Sequence, residues 1–199
     1  MKDIRLLGDI LKHKLADYRI PVRTYLVFEN ILVLILLAKF TFQIPYFEVA
    51  GSFQPLGVTL IGAIYGYQAS LRSIIIYFLL GVFGAPVFEG SESGIQHLFD
   101  IQLVGYYSSF IPAVLISASL ATFNWDRKWL HSTAMILLSV LVIFLMGVGI
   151  PYAIRLEEGF FYAVYDNIPV IALQVIMGTL ILQLSWLLVY EAYPELKED

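Results

Sequence analysis

Apolar residues fill most of this chain in long blocks, and polar residues collect between them. The first block spans 22–44 and is bounded by Pro21 and Pro45. A second, short one covers 55–65. A turn over 66–70 leads to a third, which opens near Arg72 and stops at Gly81 and Gly84, just ahead of Pro86. The remaining blocks are 103–123, 130–151 and 168–190. A helix needs about 20 apolar residues to cross hydrocarbon. The pattern therefore predicts an all-α membrane protein with six transmembrane helices in one domain, 22–199. Residues 1–21 follow a different rule. Ile4, Leu7, Leu11 and Leu15 recur at helical spacing among Lys and Arg, which predicts an amphipathic cytoplasmic segment lying on the membrane surface. That segment is too polar for a cleaved leader.

Composition sharpens this reading. Of the 199 residues 59% are hydrophobic and 14% charged, against about a quarter charged in soluble domains. Mean hydropathy is +0.79. With no cysteine, disulfides and thiol chemistry are excluded. Ten of the twelve Lys and Arg residues fall in residues 1–23, the 66–72 turn, the 124–129 loop and the tail; the other two are Lys39 and Arg155. The positive-inside rule then puts both termini in the cytoplasm of a multi-pass cell-membrane protein.

The motifs of soluble enzymes are missing. The chain has no phosphate-cradling GxxxxGK[ST] run, and His13, His97 and His131 lie scattered without metal-ligand spacing. No catalytic centre, metal, cofactor or nucleic-acid partner is expected, and His97 reads as a loop residue without a special role. Polar residues do converge on the outer side: Gln54, Glu89, Glu92, Asp100, Asp166, Asn167 and Gln174. Ligand pockets combine apolar walls with a few placed polar groups. Phe53, Tyr77, Phe83, Phe88, Tyr106 and Tyr107 are candidate walls, whereas Glu92, Glu157 and Glu158 fit ordinary solvation. Glu29 and Lys39 sit inside the first span, where a charge is a functional hypothesis by default. Ser109, Ala113, Ser117 and Ala121 form a small-residue ladder that suits helix packing.

Three stretches in order carry a family resemblance. The run Tyr77-Phe-Leu-Leu-Gly-Val-Phe-Gly-Ala-Pro-Val-Phe-Glu-Gly90 resembles the third-helix signature of the BioY family. Phe53-Gln-Pro-Leu-Gly-Val-Thr-Leu-Ile-Gly62 resembles its LQTLGVLLAG run, and Gly105-Tyr-Tyr-Ser-Ser-Phe110 its GYLLGF run. The resemblance implies an S-component-like fold. It also implies a subunit that captures biotin at the outer face and releases it inside, with energy-coupling transmembrane and ATPase subunits as possible partners. Two departures accompany it. The family's PGDxxK pattern appears as Pro169-Val-Ile-Ala-Leu-Gln174, so Ile171 and Gln174 stand for its Asp and Lys, and the bulky stretch 32–37 replaces a small-residue docking motif. Gln174 brings no charge, so Lys39 or Arg155 is left to balance a carboxylate. The expected ligand-binding residues are Lys39, Gln54, Phe88, Glu89, Tyr106, Asp166 and Gln174. Another vitamin-like ligand, or a non-transporting membrane scaffold, stays open beside biotin.

Overall fold

The structure is a computed structural model, and it describes residues 6–16, 22–44, 50–100, 103–155 and 160–197. In chain order the elements are α1 (Leu7–Ala16), α2 (Val22–Lys39), β1 (Thr41–Gln43), β2 (Ala50–Ser52), α3 (Gln54–Val82), α4 (Ile95–Leu98), α5 (Val104–Ser108), α6 (Phe110–Thr122), α7 (Trp129–Arg155) and α8 (Phe160–Ala192). Short 3-10 turns occupy Glu89–Ser91, Trp125–Arg127 and Pro194–Lys197. Among the described residues four helical stretches are long and apolar enough to cross a membrane: Gln54–Val82, Val104–Thr122, Trp129–Pro151 and Ala163–Ala192. The molecule is a helical membrane bundle.

Helix α3 is two helices in one. Gly66 breaks it with φ 74° and ψ 174°, a conformation essentially restricted to glycine. The break reverses the chain. Ser70 Oγ donates to Ile61 O at 2.7 Å, and Gln54 Nε2 donates to Tyr77 Oη at 2.6 Å. In a straight helix those partners would be about 14 and 35 Å apart along the axis. Residues 54–65 and 67–82 therefore lie side by side, and the turn expected over 66–70 contracts to one residue. Leu6 packs at the bend and, with Leu7, belongs to a core cluster that includes Leu56, Ala63, Ile136 and Trp186. The N-terminal helix is thus anchored by its first turn on the bundle.

The first apolar block does not remain helical to residue 44. Helix α2 stops at Lys39, where a cation suits the negative end of the helix dipole. Beyond it β1 pairs antiparallel with β2, Phe42 opposite Gly51. Phe42 also packs on Phe53 with ring centroids 4.7 Å apart. The β-forming pair Thr41-Phe42 and this local partner override the helical continuation. The stretch 152–167 likewise differs from the expected loop. Helix α7 continues through Pro151 to Arg155, and α8 already starts at Phe160. In a membrane, extending the helices satisfies backbone groups that a loop would leave bare.

Packing follows the small residues. Ser109, Ala113, Ser117 and Ala121 are all buried. A side chain at Gly62 would collide with Ser117 and Val114, so the ladder of α6 serves contact with α3. On α2, Leu26, Asn30, Leu34 and Ala38 are buried, while Tyr25, Phe28, Leu32 and Leu36 are exposed at helical spacing and form an apolar outer face.

A buried carboxyl closes the opposite end of the bundle. Asp126, in the turn between α6 and α7, accepts from Trp186 Nε1 at 2.7 Å through Oδ2, while its Oδ1 is buried without a partner. Gln183 Nε2 donates to Asp126 O at 3.0 Å and Ser132 Oγ at 2.9 Å, and the Arg127 guanidinium lies 4.6 Å from the Trp186 ring centroid. Burial pushes the Asp126 carboxyl up to about 6, against the pull of Trp186 and Arg127. A carboxyl raised in the folded state stabilises the fold below its unfolded value near 4. That contribution is lost as pH rises toward 6. Thermal unfolding in detergent should therefore show stability falling between about pH 4 and 6. Asp126→Asn keeps an acceptor for Trp186 and should flatten that slope; an unchanged slope would remove Asp126 as its source.

Candidate ligand cavity

The segment between α3 and α5 is held down by one aromatic cluster. Gly84 takes φ 96°, Pro86 follows, and the chain turns back over the end of α3. The Tyr77 hydroxyl donates to Val87 O at 3.0 Å while accepting from Gln54 Nε2. Phe88 is fully buried. Its ring lies directly on Gly81, where any side chain would collide with it. It meets Tyr77 edge-on at 5.6 Å and stacks with the His97 ring at 5.4 Å. His97 Nε2 shares a 3.1 Å hydrogen bond with Tyr107 Oη. His97 is therefore a member of the cluster, not a loop residue without a role. Gly94 N donates to Gly81 O at 2.7 Å, closing the segment back onto α3. Lys39 Nζ adds bonds to Pro86 O at 2.5 Å and Ser91 Oγ at 3.0 Å.

Beside this cover lies a cavity of about 330 Å³. Pro55, Leu103, Ile143, Phe144 and Val148 give it apolar walls, and Ser52, Glu89, Tyr106 and Asn167 give it polar ones. Gly105 lets α5 approach α7: a side chain there would collide with the Met146 carbonyl and Ile150. Behind the cavity runs a polar chain. Tyr106 Oη is 3.3 Å from Ser52 Oγ and 3.5 Å from Gln54 Oε1. Gln174 Nε2 donates to Ser52 O at 3.0 Å, and Gln174 Oε1 stays buried without a partner. The Glu89 carboxyl is raised by burial, opposed by a hydrogen bond from the Ser52 side chain. The cavity thus offers acceptors and hydroxyls on one side and an apolar trough on the other.

With that geometry in hand, the sequence matches the profile of the BioY family over residues 13–191. The chain belongs to the BioY family. Over 91 residues, 45% of the chain, it is 34% identical to the probable biotin transporter BioY of Pyrococcus horikoshii. That match covers 51% of the archaeal protein, so the chain spans about half the length of this curated relative. The fold resembles a crystal structure of the S-component for biotin from an ECF-type ABC transporter. The TM-score is 0.65 at 18% identity, covering 80% of this chain and 87% of the other.

The residues expected at the site of this BioY-family chain fall into four groups. Glu89 and Tyr106 line the cavity. Gln54 and Gln174 are fully buried behind it, and Lys39 and Phe88 secure the covering segment. Asp166 does not line the cavity; its neighbour Asn167 does, because successive helical positions differ by about 100° in direction. Ser52 is the residue sequence reasoning overlooked. Its place beside Tyr106 and Gln174 comes from strand pairing and helix folding, with only the preceding Gly51 as a local hint. The side chain of Arg155 lies outside the described residues. Among the described residues no group of three His, Cys, Asp or Glu side chains could hold a metal.

The junction at Tyr77 can be tested directly. Tyr77→Phe leaves Gln54 Nε2 and Val87 O unpaired in an apolar setting, at a cost of about 1–3 kcal/mol. Thermal unfolding of the purified variant should show a clear loss of stability. Wild-type stability would mean that water meets those groups instead.

Proposed function

We propose that this protein is a membrane subunit that captures biotin at the outer face and releases it to the cytoplasm. The observation that carries the reading is the polar-sided cavity beside the segment 83–100 in a chain of the BioY family. Its volume of about 330 Å³ suits a vitamin-sized ligand. Biotin carries two ureido N–H donors, an apolar ring and chain, and a terminal carboxylate. In this reading Glu89 and Asn167 accept the N–H groups, Ser52 and Tyr106 flank them, and Pro55, Leu103, Phe144 and Val148 receive the apolar part. Lys39 serves the carboxylate at the mouth, using the ammonium donor that Pro86 and Ser91 leave uncommitted. Gln54, Phe88 and Gln174 hold the walls in register. Asp166 adds negative charge at the start of the same helix turn. Ile171 and Gln174 stand where the family pattern has Asp and Lys, so in this reading the polar contacts come from Glu89, Asn167 and Lys39 instead.

The proposed arrangement has six crossings: α2, the two halves of α3, α5 with α6, α7 and α8. Both termini are cytoplasmic and the segment 83–103 faces outward. The Lys and Arg distribution supports this orientation. The protein catalyses no reaction in this reading. With no phosphate-cradling motif of its own, it draws on separate transmembrane and ATPase subunits for energy-coupled uptake.

Titration of the purified protein with biotin is the primary test, and no binding by the wild type overturns the ligand. Glu89→Gln should weaken binding by about 1.5–3 kcal/mol, the range for a hydrogen bond to a charged group. Unchanged affinity would remove Glu89 from the site. Orientation is tested separately. A cysteine at Glu92, in this chain without native cysteine, should react with a membrane-impermeant maleimide added to intact cells. Labelling only after the cytoplasmic face is opened would reverse the topology.

A further inference from the structure

A second pair of cavities lies away from the first, between α1, α2 and α3. One, of about 290 Å³, is lined by Lys12, Arg23, Tyr65, Gln68 and Arg72 among others. The other, of about 310 Å³, is lined by Arg23, Thr24, Val27, Arg72, Ile75 and Ile76. They share Arg23, Val27 and Arg72, so a basic crevice opens directly into an apolar groove. Ile75 and Ile76 are 53% and 39% exposed, which sets the groove on the outer surface of the bundle.

The charges in this crevice are not balanced from within. Lys12 is paired to Asp9 at 2.6 Å, and Asp9 also accepts from Leu6 N at 3.0 Å. Glu29 faces the Tyr65 hydroxyl. Among the described residues neither Arg23 nor Arg72 forms an ion pair, and both are exposed. Their guanidinium groups border an apolar groove and have no carboxylate partner among the described residues. Guanidinium forks match phosphate oxygens in geometry and charge. A basic pocket between helices at a membrane boundary is the setting in which anionic lipid headgroups bind. A free phosphate would use only the first cavity, whereas a lipid uses both.

We propose that this composite crevice binds one anionic phospholipid, its phosphate on Arg23 and Arg72 and one acyl chain along Val27, Ile75 and Ile76. The site is separate from the biotin reading and does not depend on it. Bound there, the lipid would tie α2 to the second half of α3 close to the docked α1.

The test uses the full chain in neutral detergent, with phosphatidylglycerol, phosphatidylcholine or inorganic phosphate added at equal concentration. Native mass spectrometry should show one retained phosphatidylglycerol, and thermal unfolding should shift upward with that lipid alone. Arg23→Gln with Arg72→Gln should weaken retention about 30-fold, given roughly 1 kcal/mol per basic residue at an anionic surface. Ile76→Trp, which fills the groove and leaves the charges, should also displace the lipid. Equal retention of phosphatidylcholine would overturn the proposal. So would an equal shift from inorganic phosphate alone, which would make the crevice a free-anion site. Wild-type retention in both variants would likewise overturn it. Should the double variant fail to fold, the lipid selectivity of the wild type and the Ile76→Trp result decide the matter.

Discussion

Three distant segments meet at the phenol oxygen of Tyr77. It accepts from the first residue of α3 and donates to the carbonyl of Val87 in the covering segment. In an apolar interior each of these groups is costly to leave unpaired, so their positions are fixed relative to one another. The constraint spreads from there. Gln54 turns its other end toward Tyr106, Tyr106 reaches Ser52, and the Ser52 carbonyl takes the Gln174 amide. That chain runs behind the candidate cavity from the cover to α8. The cavity keeps its shape because polar groups near the membrane interior have few alternatives to one another.

The same scarcity of alternatives explains the helix breaks. The reversal at Gly66 is braced by Ser70, whose hydroxyl donates across the bend to the carbonyl of Ile61. Burying the Phe88 ring requires the bare backbone of Gly81, so the cover and α3 fit only as a pair. Attraction between apolar side chains does little to join helices already surrounded by lipid. Close packing and internal hydrogen bonds take its place. The two ends of the bundle use different devices: an aromatic cluster with one histidine at the cavity, and a buried carboxyl held by Trp186 at the other end.

What could be read from the chain alone was whatever depends on local composition. The apolar blocks showed that helices must form, because backbone groups in hydrocarbon have no water to turn to. Gly66, Gly84 and Pro86 marked where the helices break, because the freedom of glycine and the ring of proline act without any partner. The ordered runs at 53–62, 77–90 and 105–110 carried the family. Helix ends were less legible. Residues 41–43 became a strand because β2 was there to pair with them, and α8 already starts at Phe160. The site divided in the same way. Glu89 and Tyr106 stood out as polar or aromatic residues at a span's mouth. Asn167 rather than Asp166 reached the cavity because of the rotation of α8. Ser52 was brought to it by β-pairing and by a glutamine 122 residues away. Lys39 stood out in sequence as a charge inside a span; that it also ties down the covering segment follows from the fold, which brings Pro86 and Ser91 within its reach. Composition determined that this chain would be helical in a membrane; contacts between residues far apart in sequence decided which side chains face the cavity.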